Sequence, residues 1–378
     1  MSDAWAFVDP AVVRGLAARI ATLAERLPRR VTFMEVCGTH THAIAAAGLR
    51  RLLAAKVRLI SGPGCPVCVT EIGYVDRAEA LARRPGTIVC TFGDLLRVPS
   101  STGSLERARA TGVDIRIVYS PRDAVVVARD NPDRTVVFLG VGFETTVPTV
   151  AAALAEAEAT NVANFLVLSG HKTMPAPMRA LAQDPDVQVD GYLLPGHVSV
   201  ITGSAAFDFL ARDVHVPAVV VGFTPADVLR GVEVLVEQVL ASRHDVVNLY
   251  TRVVTEAGNA TARALVARFF EPIDAVWRGL GMIPGSGLGI RREYAHRDAG
   301  LLPVDLPEPV EPVGCRCGEV LKGLIDPPEC PLFATVCTPD SAVGACMVSS
   351  EGSCAAWHRH ERLGIAPGSG AGLEQGNG

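Results

Sequence analysis

Long apolar runs, basic tracts and aromatic side chains are scarce in this sequence. Aromatic residues make up 5% of the 378 residues, and no uninterrupted run of about 18 apolar residues could form a membrane span. Basic and acidic residues are interspersed with a formal net charge of -5, so neither nucleic acid nor a membrane is expected as a partner. The N-terminal segment MSDAWAFVDP lacks the basic and apolar regions of a signal peptide, which predicts a cytoplasmic location.

Two common nucleotide-binding patterns are also missing. The pair Gly140-x-Gly142 lacks the third glycine of the dinucleotide fingerprint, and no acidic residue follows where a ribose would need it. The Walker A pattern is absent too. A simple NAD-dependent enzyme is therefore excluded.

The apolar segments that do occur are short, and helical patterns separate them. A chain of 378 residues is too long for one ordinary core, so two or three domains are expected. Short strands separated by helices indicate parallel sheets in an α/β fold. The predicted strands are residues 31–36, 57–60, 87–91, 115–119, 136–139, 165–168, 192–194 and 218–221.

These strands form two comparable sets, which predicts two parallel-sheet α/β domains around a cleft. We assign residues 1–125 to the first domain and residues 126–235 to the second. After a mostly helical segment at 230–280, the composition shifts to proline, glycine and cysteine. Residues 236–367 are therefore predicted to contain this helical segment and a small cysteine-rich domain, and residues 368–378 a disordered tail.

Polar, glycine-rich loops follow nearly every predicted strand. Ligands bind outside the carboxyl ends of the strands in open α/β sheets, so these loops are expected to gather there. Cys37 and His40, in CGTH, could ligate a metal or act as a nucleophile with its base. Glu144, in GFETT, offers a carboxylate at a helix start, and the equivalent positions of His171 and His197 favour a shared site.

Cys65 and Cys68 form a C-x-x-C pair directly after a predicted strand. A helix N-terminus beside such a pair lowers the thiol pKa and favours redox or metal chemistry. Half of a zinc knuckle is the alternative interpretation of this pair. Cys90 lies inside the apolar run TIVC and is predicted to be core packing.

The segment from 315 to 354 is rich in cysteine and poor in long apolar stripes. Such a segment cannot build much core of its own, and a metal could supply the missing stability. The spacing favours an iron–sulfur cluster over zinc, since structural zinc usually takes paired C-x₂₋₄-C knuckles; a set of buried free thiols is the remaining alternative. The six thiols are Cys315, Cys317, Cys330, Cys337, Cys346 and Cys354.

Together these motifs closely resemble the HypD family of hydrogenase formation (maturation) proteins. The resemblance runs from about residue 31 to 357 and rests on several blocks in order: FMEVCGTHTHAI, SGPGCPVCVT, TFGDLLRVPSS, FLGVGFETTVPT, SGHKTMPAPM, GYLLPGHVSVITG and CTPDSAVGACMVSSEGSCAAW. It implies a scaffold on which the Fe(CN)₂CO unit of NiFe hydrogenase is assembled. It also implies a small partner, HypC, and cyanide delivered by the HypE–HypF pair.

The resemblance further assigns roles to the cysteines. The family's cluster spacing, C-x₁₄-C-x₆-C-x₁₆-C, implies that a 4Fe–4S cluster is held by Cys315, Cys330, Cys337 and Cys354. Cys317 and Cys346 match the family's redox-active pair.

The remaining motifs match residues that are expected to bind the iron and to transfer electrons. Cys37 is implied to be the iron ligand, and Cys65 and Cys68 are expected to relay electrons. His40, Glu144 and His197 are expected to position the iron or cyanide.

Two rival interpretations of the sequence differ in chemistry. The first is an iron–sulfur thiol–disulfide oxidoreductase whose cluster feeds the C-x-x-C pair and acts on a protein disulfide. The second is a zinc-stabilised binding module without a redox role. Neither accounts for CGTH and GFETT together with the C-terminal cysteines.

Overall fold

A computed structural model of the protein describes residues 10–361. The strands are β1 Val31–Glu35, β2 Val57–Ser61, β3 Thr87–Thr91, β4 Ile115–Ile117, β5 Thr135–Gly140, β6 Phe165–Ser169, β7 Gly191–Pro195, β8 Ala218–Val221, β9 Val246–Asn248, β10 Phe270–Trp277 and β11 Gly281–Ile290. The helices are α1 Pro10–Ala24, α2 Gly38–Ala46, α3 Leu49–Leu53, α4 Pro66–Val69, α5 Ile72–Arg83, α6 Leu105–Ala110, α7 Pro121–Asp130, α8 Val147–Ala159, α9 Pro175–Gln183, α10 Gly196–Thr202, α11 Phe209–Arg212, α12 Pro225–Leu240, α13 Ala260–Phe269, α14 Cys317–Leu321, α15 Ala345–Val348 and α16 Ser353–His360. The predicted disordered tail at 368–378 lies outside the described residues. Between residues 10 and 361, no helix is both long and apolar enough to cross a membrane.

Nine of the described strands form two parallel sheets, which confirms the predicted α/β class. One sheet has the order β2-β1-β7-β8-β9, and the other has the order β4-β3-β5-β6. Strands β3, β7 and β8 are buried along their whole length. Their nearly continuous apolar sequences follow from this burial, because helices cover both faces of a parallel sheet. All eight strands expected from the sequence are present.

The grouping of these strands into two sets was wrong. Strands β3 and β4 were assigned to the first set, but they lie in one sheet with β5 and β6. Strands β1 and β2 instead pair with the later strands, since β1 lies between β2 and β7. Each of the predicted ranges, 1–125 and 126–235, therefore contains strands of both sheets. A βα crossover has the same sequence pattern whether it returns to its own sheet or enters a new one, so the pattern could not separate these cases.

The helical prediction for residues 230–280 was correct only in part. Helices α12 and α13 are present, but β10 and β11 form an antiparallel hairpin that was not expected. The glycines of GSGLG and a register shift after Ile273 weaken the strand pattern there. The hairpin bridges loops of both sheets, because Trp277 pairs with Thr70 and Gly287 pairs with Lys172.

The cysteine-rich segment from 315 to 361 shares its core with the first sheet. Helix α15 packs on α4, and α16 packs on α2. One buried cluster joins Met34, Ile60 and Trp277 to the cysteines of both the C-x-x-C pair and the C-terminal segment. The segment thus lies directly over the loops that follow β1 and β2.

A candidate metal and thiol site

Four loops meet at the carboxyl edge of the first sheet. Cys37 follows β1, Cys65 follows β2, His197 follows β7 and Phe223 follows β8. Because β2, β1, β7 and β8 are adjacent parallel strands, their carboxyl ends lie side by side. The topology therefore brings CGTH, the C-x-x-C pair and PGH together.

The conformation of the Cys37 loop depends on the Glu35 carboxylate and on Gly64. The Cys37 amide donates to Oε2 of Glu35 at 2.9 Å, and the Gly38 amide donates to the Gly64 carbonyl at 3.0 Å. A Cβ at Gly64 would overlap the backbone nitrogen of Cys37, so only glycine fits there. Thr41 donates to Oε1 of Glu35, and the Ser61 side chain is hydrogen-bonded to the same carboxylate. Glu35, which was not singled out from the sequence, thus fixes the residue that carries the thiol.

Burial dominates the acid–base behaviour of Cys37. The thiol stands at the N-terminus of α2, where amides from His40 and Thr39 favour a thiolate. Burial outweighs them and raises the Cys37 pKa to about 12, with the Glu351 and Glu35 carboxylates acting in the same direction. The thiol is therefore protonated at neutral pH, and a bound cation has to displace its proton.

His40 and His197 share a contact with Phe223. The ring centroids are 5.0 Å apart for His40 and Phe223, and 3.8 Å apart for His197 and Phe223. His40 Nε2 lies 2.9 Å from the Gly222 carbonyl, to which it donates, while its buried Nδ1 has no hydrogen-bond partner. Burial lowers the His40 pKa to about 4, so the ring is neutral at pH 7. A lone pair on Nδ1 remains available for a ligand or a metal. Phe223 lies in the loop VGFTP after β8, and no sequence pattern predicted its contact with the two histidines.

Glu144 lies at the edge of the other sheet and lines a cavity. It follows β5, and its Oε1 accepts a hydrogen bond from the Met174 amide at 2.9 Å. Its cavity is mostly apolar and is also lined by Val147, Thr202 and Val266. These contacts do not join Glu144 to His40 or His197, with which it was grouped from the sequence.

His171 also belongs to the second sheet. It follows β6, where Ser169 Oγ lies 3.1 Å from its Nδ1 and the ring meets Phe270 edge-on. His197 follows β7 of the first sheet. The contacts of the two histidines therefore join them to different residues, and the shared site expected from the sequence stays a prediction.

We expect Glu144→Gln to flatten the pH dependence of stability. Burial raises the Glu144 pKa to about 7 from 4.5, so the folded chain holds a proton that the unfolded chain loses between these values. The stability this proton provides is present below pH 4.5 and is lost as the pH rises to 7, by about 3 kcal/mol. Denaturant unfolding between pH 4.5 and 8 measures the effect.

The matched control is Glu106→Gln, which removes an exposed carboxyl on α6. Its unfolding free energy should follow the wild-type pH profile. Equal slopes for wild type and Glu144→Gln would contradict the assignment.

A series of sulfur contacts joins the C-x-x-C pair to the C-terminal cysteines. The Cys68 amide donates to Cys65 Sγ at 3.2 Å at the start of α4. Cys346 is hydrogen-bonded to the thiols of Cys317, Cys354 and Cys68. These three donors lower the Cys346 pKa, which favours negative charge on this sulfur.

The series ends at the closely spaced pair Cys315 and Cys317. Their sulfur atoms lie 3.3 Å apart, and this hydrogen bond together with burial raises the Cys315 pKa. Gly344 packs against both, since a Cβ there would lie 2.5 Å from Cys317 Sγ and 2.7 Å from Cys315 Sγ. The glycine allows this close approach of backbone to sulfur.

Five thiols line one enclosed and otherwise apolar cavity. The lining cysteines are Cys315, Cys317, Cys330, Cys337 and Cys354. Between residues 10 and 361, no three His, Cys, Asp or Glu side chains converge to hold a single metal ion. An iron–sulfur cluster does not need ligands that converge on one ion, because its four thiolates bind separate irons. The donor set and the apolar walls fit such a cluster.

Cys90 lies apart from these sulfur contacts. It is fully buried in β3 and packs with Ile88 and Phe138 in the second sheet. The prediction of core packing is confirmed.

Comparisons with known proteins identify the family of this chain. The family model HypD, described as the hydrogenase formation hypA family, matches residues 11–361. The hydrogenase maturation factor HypD of Escherichia coli (strain K12) is 46% identical over 353 residues, which are 93% of this chain and 95% of that protein. The factor of the same name from Rhizobium leguminosarum bv. viciae is 47% identical over 364 residues, or 94% of each chain. That of Azotobacter vinelandii is 46% identical, covering 94% of this chain and 96% of its own. The chain therefore belongs to the HypD family of hydrogenase formation proteins.

Proposed function

We propose that this chain is a NiFe hydrogenase maturation factor on which the Fe(CN)₂CO unit is assembled. A small HypC-type partner shares the iron, HypE delivers cyanide, and thiols with a 4Fe–4S cluster supply electrons. The observation that carries this proposal is the series of sulfur contacts from Cys65 to Cys315, together with Cys37 at the neighbouring strand end. Family membership supports the same conclusion.

The iron that is being assembled is cargo, and Cys37 is its proposed ligand. Iron carrying cyanide and carbon monoxide is soft and favours thiolate. Cys37 is buried beside the first sheet, and a cysteine of the partner would complete the pair of thiolates. His40 offers an unpartnered Nδ1 in the same helix, and His197 shares its aromatic neighbour. Both are proposed to position the iron or its cyanide.

Glu144 has a separate proposed role. Its Oε2 is buried without a hydrogen-bond partner, and its pKa of about 7 allows it to hold or release a proton at neutral pH. The GFETT carboxyl is therefore proposed to position a cyanide-bearing group by hydrogen bonding from its own cavity.

Electrons are proposed to reach the Cys37 site by thiol–disulfide exchange. Oxidation of the Cys65–Cys68 dithiol to a disulfide releases two electrons and two protons, which the attachment of cyanide and carbon monoxide to the cargo iron would consume. The Cys346 sulfur, with its lowered pKa and its contact to Cys68, is suited to attack that disulfide and begin its reduction. Cys317 contacts Cys346 and completes the second dithiol, so the disulfide can pass from one pair to the other.

Cys315, Cys330, Cys337 and Cys354 are the proposed ligands of a 4Fe–4S cluster. When bound, the cluster supplies single electrons. These four residues hold it, while the apolar side chains of Phe333 and Met347 limit the access of water to the cavity.

An iron–sulfur thiol–disulfide oxidoreductase is the second candidate. The sulfur contacts favour it as well, because they would serve reduction of a protein disulfide. Cys37 discriminates between the two functions, since an oxidoreductase has no use for a second iron site.

Anaerobic co-purification with the HypC-type partner tests the proposal. Infrared bands of cyanide and carbon monoxide, together with more iron than sulfide in the purified complex, are the expected result. Equal iron and sulfide without these bands would favour the oxidoreductase. Zinc in place of iron and sulfide would overturn both candidates.

A further inference from the structure

Arg278 is buried at the turn of the hairpin, close to the cysteines. Arg278 is 4% exposed. Its backbone amide donates at 2.9 Å to the carbonyl of Val69, the residue that follows Cys68. The preceding Trp277 pairs with Thr70. The hairpin turn is thus attached to the segment that carries the C-x-x-C pair.

The Arg278 guanidinium is incompletely paired. Nε lies 3.4 Å from the carboxylate of Glu311, whose side chain is 59% exposed, and Nη2 donates weakly to the Pro99 carbonyl at 3.5 Å. Neither Nε nor Nη1 has a hydrogen-bond partner. A buried cation is costly unless it is paired, so its charge requires a further counterpart.

Arg278 lines one cavity together with Cys315 and Cys317. The other cations of that cavity already have partners: Arg316 pairs with Glu319, and Lys322 Nζ lies 3.0 Å from Asp184. Arg278 also attracts the half-buried carboxylate of Glu71, which it shares with Lys172. Neither Glu71 nor Glu311 accepts a hydrogen bond from Nε or Nη1. Because Cys315 and Cys317 line the same cavity as the guanidinium, negative charge on their thiolates would supply the missing counterpart.

We propose that Arg278 is the buried counter-charge of the cysteine centre and raises its reduction potential. The inference rests on the proposed function, in which these thiolates hold a 4Fe–4S cluster. Reduction adds one electron from dithionite to the cluster and neither forms nor breaks a bond. The added negative charge is stabilised by a fixed positive charge, which burial shields little from the centre.

Replacement of Arg278 by methionine keeps much of the side-chain volume and removes the charge. Anaerobic redox titration of the purified protein, followed by visible absorbance and electron paramagnetic resonance, should show a cluster that is about tenfold harder to reduce. For a one-electron couple this corresponds to a potential lower by about 59 mV. Arg278→Lys should restore most of the wild-type potential.

Lys322→Met is the matched control. It removes a cation from the same cavity, but that cation is partly exposed and already paired with Asp184. Its potential should stay near the wild-type value. A shift as large as that of Arg278→Met would show a general loss of positive charge and would overturn the specific role of Arg278.

Glu311→Gln tests the same field with the opposite sign. It removes the carboxylate that partly neutralises Arg278, so the potential should rise, by less than the Arg278→Met shift because Glu311 is exposed. It also keeps the inference testable if Arg278→Met fails to retain a cluster.

The failure of the inference and that of the proposed function are distinguishable. A wild-type protein without iron and sulfide would overturn the proposed function. A cluster with one potential in wild type, Arg278→Met and Glu311→Gln would overturn the role of Arg278 alone.

Discussion

Replacing Cys37 with alanine should abolish the cyanide and carbon monoxide infrared bands of the anaerobically purified complex. Cys37 is the proposed thiolate ligand of the cargo iron, and its amide and neighbouring glycine are fixed by Glu35 and Gly64. Alanine preserves these backbone contacts, so the loop keeps its conformation while the ligand is lost. Infrared spectroscopy and iron analysis of the complex measure the result.

Cys90→Ala is the control for this experiment. Cys90 is also a buried thiol, but it lies within β3 and packs in the core of the second sheet. Its truncation should lower stability by about 1 kcal/mol, since a small buried group is removed, and leave both infrared bands intact. Bands that survive in Cys37→Ala would refute Cys37 as the iron ligand.

Replacing Cys330 with alanine should remove the brown absorbance of the iron–sulfur cluster. Cys330 lines the thiol cavity, and no contact places it in the series that connects Cys65 to Cys317 in the described part of the chain. Loss of one of four thiolates leaves a cluster incompletely held, so iron and acid-labile sulfide should fall together. The folding free energy that a bound metal centre contributes should be lost as well.

Cys346→Ala separates the cluster from the relay. Cys346 does not line the cavity, but its sulfur contacts Cys68 and Cys317. This variant should keep its cluster absorbance while the Cys65–Cys68 disulfide is no longer reduced when dithionite is added, as thiol labelling and mass spectrometry would measure. A cluster lost in Cys346→Ala but retained in Cys330→Ala would reverse the two assignments.

Local sequence patterns are enough to predict the strands and the loops that carry chemistry. Each of the eight predicted strands is present, since a short apolar run between polar loops is a local feature of the sequence. In β3, β7 and β8 the run is nearly continuous because these strands are buried along their whole length. The carboxyl-edge position of CGTH and the C-x-x-C pair follows from the parallel class. The core position of Cys90 follows from its apolar neighbours.

Which strands and loops meet depends on how the elements pack in three dimensions. The assignment of β3 and β4 to the second sheet depends on crossover paths, for which adjacency along the chain is no guide. The same partition separates Glu144 from His40 and His197. The hairpin of β10 and β11 was not predicted, because its glycines weaken the strand pattern.

The contacts that link the thiols are likewise a product of the three-dimensional fold. Cys68 and Cys346 belong to segments far apart in sequence, and helices α4 and α15 pack together to join their sulfur atoms. Arg278 reaches the cysteine cavity only because the hairpin turn is attached at Val69 and Thr70. Local sequence determines whether a residue is buried and in which element it lies. Its neighbours across the core are determined by how the elements pack, and the chemistry of this site depends on those neighbours.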